Sequence, residues 1–248
     1  MDKLLYLGMS AAKQTMHAQS VNAHNLANVN TAGFRADIAT FESVPLEGEG
    51  FDSRTFVRVS SPSVNYSPGP VNATGRNLDV AVQGEGWLAV QARDGTEAYV
   101  RGGDLRISSG GVLTTGSGLP VLGNGGPIAM QPAESVLIGA DGTISIRPIG
   151  EDETNIIEVD RLKLVNPDVG DLVKGADGLI RTKEGEPAPA DAEVRVATGA
   201  KEGSNVNAVE ALVQMITLAR SYELNVKTMS AAEQNDTADA RLLRLGSG

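Results

Sequence analysis

Residue types able to do chemistry are few in this chain, and none stands in a catalytic pattern. The most suggestive run is Gly84-Glu85-Gly86-Trp87-Leu88-Ala89, which fits the loose dinucleotide pattern G-x-G-x-x-A. Binding of a pyrophosphate by that pattern needs a helix N-terminus directly after the glycines, where unpaired backbone N–H groups and the helix dipole meet the phosphates. Here Trp87-Leu88-Ala89-Val90 follows, a strand-like run, so the glycines read as a hairpin turn. His17 and His24 are the only imidazoles. Their spacing of seven puts them two turns apart on one helical face, whereas chelation along a helix wants three or four, so they read as surface or interface residues.

Carboxylates are plentiful, and Glu151-Asp152-Glu153 is the densest group. It lacks the alternating Asp/Asn ligands, the glycine and the terminal glutamate of a calcium loop, and reads as a solvated loop. There is no G-x-S-x-G element and no Walker-type phosphate loop. Zero cysteines exclude disulfide scaffolds, thiolate zinc sites and cysteine nucleophiles together. Two carboxylates distant in sequence could form a glycosidase site, but nothing local marks them out from surface charge. The expectation is therefore no catalytic residue, no metal and no cofactor.

The elements that would position any site divide the chain in two. All 11 prolines lie between Pro45 and Pro189, and 24 of the 29 glycines lie between positions 41 and 200. Proline-free ends patterned for helices, around a turn-rich insert, predict that the ends pack together while the insert forms its own domain. At the N-terminus, steps of 4 and 3 give the row Leu5, Met9, Ala12, Met16, Gln19, Ala23 and Leu26. A neighbouring row holds Leu4, Gly8, Ala11, Thr15, Ala18, Asn22, Asn25 and Val29. Together they predict a helix of roughly 40 Å over positions 3 to 29 with one stripe of apolar, small and amide side chains. Asn25, Asn28, Asn30 and Gly33 supply its stop signal, because Asn and Gly tolerate left-handed backbone and the amides compete for backbone hydrogen bonds.

Residues 206 to 245 contain neither Pro nor Gly, which allows a helix of roughly 60 Å, with Ser204 or Asn205 as N-cap. Its apolar positions are Val206, Val209, Leu212, Val213, Ile216, Ala219, Tyr222, Val226 and Met229. That stripe is broader than a two-helix seam requires, so the helix should have neighbours on more than one side. Between Asn77 and Val196 the pattern becomes short β-like runs punctuated by Asp94-Gly95, Asp141-Gly142 and Asp177-Gly178, each a turn signal. Alternation at Leu78, Val80, Val82 and at Leu88, Val90 implies strands with one buried face.

The fold class expected is α+β: N- and C-terminal helices packed together as a coiled-coil-like assembly domain, with a central, mostly antiparallel β domain. The boundaries are 1–40 for the N-terminal assembly helix, 41–75 for an extended connector, 76–199 for the β domain and 200–248 for the C-terminal assembly helix. The net charge of −10 follows the same partition: +1, −2, −8 and −1 across those segments. Near-neutral helices can lie side by side, while the acidic middle offers no basic footprint for nucleic acid or anionic lipid. No segment approaches the roughly 18 consecutive apolar residues of a membrane span, so no direct membrane insertion is expected. Lys3 followed by Leu4 to Ala12 is interrupted by Lys13 and lacks a small-residue cleavage pattern.

Two long motifs at the chain ends carry a family resemblance. Ala23-His24-Asn25-Leu26-Ala27-Asn28-Val29-Asn30-Thr31-Ala32-Gly33-Phe34-Arg35 resembles the run that ends the first helix in flagellar rod and hook proteins. Glu202-Gly203-Ser204-Asn205-Val206-Asn207, then Val209-Glu210 and Arg220-Ser221-Tyr222-Glu223, resembles the second signature of that family, and Gly75 to Ile128 resembles its shared β domain. Within the family the chain looks most like the proximal-rod type, on Met1-Asp2-Lys3, Met9-Ser10-Ala11-Ala12 and Ala208 to Ile216. His24, where the family often has Asn, is a mild departure. The resemblance implies a structural subunit of the flagellar basal body, exported through the flagellar type III apparatus without signal cleavage. Its implied partners are other rod subunits, proximal and distal, the export apparatus and the basal-body base, in an axial tube crossing the periplasm. The assembly interface expected from these rows and the first motif is Leu5, Met9, Ala12, Met16, Leu26, Asn25, Asn28, Gly33 and Phe34. From the other end it takes Val206, Val209, Leu212, Val213, Ile216, Ala219, Tyr222, Val226 and Met229.

Overall fold

The computed structural model describes residues 2–45, 55–59, 63–150 and 155–245. The chain separates into two units, each with its own contacts: residues 1–28, 36–65 and 206–248 in one, and residues 29–35 with 66–205 in the other.

The first unit is built on two helices, α1 (Asp2–Ala27) and α2 (Ala208–Leu245), which pack together as expected. They run antiparallel, since Asn22 Nδ2 donates to the Ala211 carbonyl at 2.7 Å while Asn225 lies 3.4 Å from Thr15 Oγ1. The seam is made of the small and amide row. Ala12, Ala18 and Asn22 of α1 and Ala211 and Ala232 of α2 are buried. A Cβ on Gly8 would come within 2.7 Å of Met229 Cγ. Small side chains let the two backbones approach, and the Asn22 amide supplies the polar lock that apolar methyls lack.

Asn207, rather than Ser204 or Asn205, caps α2. Its Oδ1 accepts from the N–H groups of Val209 and Glu210 at 3.0 and 3.3 Å, and its carbonyl accepts the first intrahelical bond from Ala211. At the end of α1, Asn28 donates its side-chain amide to the His24 carbonyl at 2.9 Å. Among the described residues only glycines take positive φ, so Asn25 and Asn28 act at the helix end through side-chain hydrogen bonding, and none of Asn25, Asn28 and Asn30 takes left-handed backbone. Asn25 docks the returning chain: its amide donates to the Asp37 carbonyl and accepts from the Asp37 N–H, both at 2.8 Å.

Residues 41–75, read as an extended connector, contain paired strands. Asp37–Ile38 pairs with Ser63–Val64, Phe41–Pro45 with Thr55–Val59, and Val71–Ala73 with Ala200–Glu202, all antiparallel. The β-branched and aromatic residues of Thr55-Phe56-Val57-Arg58-Val59 favour a pleated ladder, and this outweighs the nearby Pro, Ser and Gly. Positions 46–54 and 60–62 of that stretch lie outside the described residues.

The second unit is antiparallel β. A five-stranded sheet runs in the order Leu164–Val165, Trp87–Gln91, Glu97–Val100, Ile180–Thr182, Leu172–Lys174. A three-stranded meander comprises Ala133–Ile138, Thr143–Pro148 and Ile157–Arg161, and Val80–Gln83 pairs with Arg195–Thr198. Each Asp-Gly pair does turn the chain. Asp94, Asp141 and Asp177 accept from the N–H two residues on at 3.0, 3.1 and 3.2 Å, the geometry of an Asx turn. The one-buried-face reading does not hold for the central strand. Leu88 and Val90 enter a large core with Leu113, Val121 and Ile144, while Trp87 and Ala89 enter a second with Tyr99 and Val165. Both faces are covered, so every residue from Trp87 to Val90 is buried.

Candidate functional site

The most elaborate polar arrangement among the described residues lies where both ends of the β unit meet. Arg35 is 2% exposed and Glu202 1%. Arg35 Nη2 donates to Glu202 Oε1 at 2.6 Å, and Arg101 Nη1 donates to Oε2 at 3.2 Å. The Gly69 N–H adds a third donor to Oε1 at 2.8 Å. One carboxylate therefore serves two guanidiniums. Arg101 further donates to the carbonyls of Val82 and Gly84 at 3.2 and 2.7 Å.

The guanidinium carbons of Arg35 and Arg101 lie 5.5 and 5.3 Å from the Trp87 ring centroid, and Tyr66 meets that ring edge-on at 6.0 Å. Cation–π attraction offsets part of the cost of Arg35 Nε and Nη1 and Arg101 Nε, which are buried and have no hydrogen-bond partner among the described residues. Burial pushes the Arg101 guanidinium below its usual value; Glu202 opposes that fall and Arg35 adds to it. A guanidinium so placed holds charge and geometry and offers no base for catalysis.

Backbone pairing closes the same place. The Gly33 N–H donates to the Glu202 carbonyl at 3.0 Å, and the Asn205 N–H to the Phe34 carbonyl at 3.3 Å. Lys174 Nζ donates to the Arg35 carbonyl at 2.8 Å and sits 4.2 Å from the Phe34 ring centroid. Gly33 has φ +67°, and a Cβ there would stand 2.1 Å from Gly102 N, so only glycine fits on both counts. Gly33 and Phe34, expected on the helical interface, thus belong to this neck of the β unit.

The other residues expected at an interface fall into two groups. Ala12 is buried between the helices, while Leu5, Asn25, Leu26, Asn28, Val206, Ala219, Tyr222 and Met229 are half-buried. Met9, Met16, Val209, Leu212, Val213, Ile216 and Val226 are exposed, with Met16 at 57% and Val209 at 71%. Tyr6 and Leu224 join them, although the rows above had not singled them out. Most of the larger apolar positions of both rows therefore face away from the seam.

The rejected chemical readings have definite places. Gly84-Glu85-Gly86 joins strand Val80–Gln83 to strand Trp87–Gln91, with no helix to receive a phosphate. His24 Nδ1 lies 2.8 Å from Asp37 Oδ2, and His17 is exposed. Glu151-Asp152-Glu153 lies outside the described residues. Among the described residues no three His, Asp or Glu side chains gather as metal ligands, and no helix is long and apolar enough to cross a membrane. A cleft of about 270 Å³ is bounded by Glu97, Leu122, Asn124 and Lys163. Its charged pair is closed on itself, with Lys163 Nζ donating to the two Glu97 oxygens at 2.9 and 2.7 Å.

Three family profiles match in chain order: flagella basal body rod protein over residues 5–35, flagellar hook protein FlgE/F/G D1 domain over 81–146, and flagellar basal body rod FlgEFG protein C-terminal over 197–242. The flagellar basal-body rod protein FlgF of Salmonella typhimurium is 40% identical over 99% of this chain and 100% of its own length. FlgF of Escherichia coli is 41% identical over the same shares. The rod protein FlgG of Buchnera aphidicola from Schizaphis graminum is 31% identical over 90% of this chain and 94% of its own. The chain belongs to the FlgF-type flagellar basal-body rod proteins. It is a structural rod subunit and not an enzyme. Each matched segment gives this rod protein part of one cluster: Arg35 from the first, Trp87 and Arg101 from the second, Glu202 from the third.

Proposed function

We propose that this rod protein polymerises through its terminal helices into the proximal part of the periplasmic rod and there transmits torque. The observation that carries this reading is the exposed apolar set on both helices: Met9, Met16, Val209, Leu212, Val213, Ile216, Leu224 and Val226. Val209, Leu212, Val213 and Ile216 are three and four positions apart on one helix, and large apolar side chains left exposed at that spacing mark a surface awaiting a partner. The seam between α1 and α2 consumes the small residues and leaves the large ones for neighbouring rod subunits. The buried Arg35–Glu202–Arg101 cluster secures both flanks of the β unit, as a part under load requires. Export through the flagellar type III apparatus without signal cleavage, and docking on the basal-body base, complete the reading. The relatives at 40% and 41% identity, each over 99% of this chain, are both FlgF proteins, which favours proximal over distal placement.

The test is to replace Met16 and Ile216 with Asp in a motile host and measure rod assembly and swimming. The expected outcome is loss of both, with secretion retained and an unchanged β-unit unfolding transition in the purified chain. Normal swimming would overturn the reading.

A further inference from the structure

Asn124-Gly125 is the sole Asn-Gly dipeptide in the sequence. It forms the tip of a tight turn: Leu122 bridges Pro127, and the Gly123 N–H donates to the Gly126 carbonyl at 2.8 Å. Both tip residues are exposed. A Cβ on Gly125 would meet nothing within 4 Å, so the tip is uncrowded on that side. Among the described residues the Gly125 N–H donates no backbone hydrogen bond. The Asn124 N–H donates instead to Asp160 Oδ1 at 3.3 Å, an oxygen that also accepts from the Arg161 N–H at 2.7 Å.

We propose that Asn124 is a site of spontaneous deamidation that gives the rod subunit a slow, enzyme-independent charge modification. The deprotonated Gly125 amide nitrogen attacks Asn124 Cγ, forming the N–C bond of a succinimide. The Cγ–Nδ2 bond breaks and ammonia leaves with the proton. Water then opens the ring at either carbonyl, yielding aspartate or isoaspartate, and no oxidant or reductant takes part. Gly125 makes the attack feasible because no Cβ shields its nitrogen. Other asparagines are held differently: Asn22, Asn25, Asn28, Asn205 and Asn207 each spend their side chain on a hydrogen bond to backbone. The product carboxylate would stand beside Asp160, so two like charges would share the turn, and the isoaspartyl form would add a backbone methylene to a two-residue tip.

The experiment ages the purified full-length chain at 37 °C at neutral and mildly alkaline pH and maps it by peptide mass spectrometry with isoaspartate-specific methyl labelling. Expected is a gain of about 1 Da confined first to the peptide holding Asn124, in aspartate and isoaspartate forms, faster at the higher pH. Gly125→Ala should slow it by about tenfold or more, and Asn124→Gln should remove it, without change in thermal midpoint. Chain aged in denaturant gives the rate of the same dipeptide without the turn. An intact Asn124 in the folded chain while the denatured one converts, or prior conversion of another asparagine, would overturn the proposal.

Discussion

The two units of this chain solve burial in opposite ways. In the β unit the large side chains are inside: Leu88, Leu105, Leu113, Ile128 and Ile144 are all essentially inaccessible, and even its buried charges are paired. In the helical unit the seam holds Ala12, Ala18, Asn22, Ala211 and Ala232, while Met16, Val209 and Ile216 face outward. Burying a large apolar side chain stabilises by about 1.5–3 kcal/mol and an alanine by far less, so the β unit is self-sufficient and the helical unit is not. A subunit whose stability sits in one part and whose unspent apolar surface sits in another can fold before it assembles.

This contrast can be broken most directly at the carboxylate. Glu202→Ala leaves two guanidiniums buried around Trp87 without their anion and should cost about 3–5 kcal/mol, read by urea unfolding followed through tryptophan fluorescence. A loss below about 1 kcal/mol would show the cluster to be dispensable. Leu113→Ala, at a fully buried position of the larger core, should cost about 2–5 kcal/mol in the same assay. Asn22→Ala removes the bond to the Ala211 carbonyl and should lower the stability of the helical pair by about 1 kcal/mol, measured by helical ellipticity against temperature. Ile216→Ala should change the free chain by less than about 0.5 kcal/mol, yet weaken polymerisation. If its effect on the free chain matched that of Leu113→Ala, the division between the units would fall.

Titration sharpens the same contrast. Tyr99 sits in the smaller core, its hydroxyl oxygen accepting from the Ala188 N–H at 2.7 Å and donating to Glu97 at 3.1 Å. Burial, offset in part by the Ala188 bond and reinforced by the Glu97 charge, raises its pKa from 10.0 to about 12. A raised folded value means the contribution is complete below pH 10 and is lost as the pH climbs through about 12. Unfolding midpoints of the β unit should fall across that window, and Tyr99→Phe should flatten the fall.

Much of this was legible in the sequence because it is local. Freedom from Pro and Gly set the extent of α2, and the three Asp-Gly pairs marked turns because an aspartate followed directly by a glycine acts on its own backbone. Which row of α1 would face α2 was not legible. Period alone treats Met9 and Gly8 as neighbours on one stripe, and only close backbone approach, a tertiary effect, selects the small row. The buried cluster was harder still. Arg35 and Glu202 each sit in a terminal motif, but Trp87 read only as part of a strand-like run, and Arg101 was not singled out. Charge in sequence reads as surface, and their pairing depends on contacts spanning 167 and 101 positions. The available signal was that both terminal motifs carry an opposite charge at the edge of the β segment.

That separation has a consequence in time. Arg35 and Glu202 are 167 positions apart, so at about 5–20 residues per second the ribosome supplies the carboxylate roughly 10–30 s after the first arginine. Until then neither guanidinium has its counter-charge, and the neck formed by Gly33 and Glu202 stays open. Folding dominated by such distant contacts is slow, on the order of milliseconds to seconds once the chain is whole. The nascent rod subunit is thus kept from its finished shape by the order of its own residues.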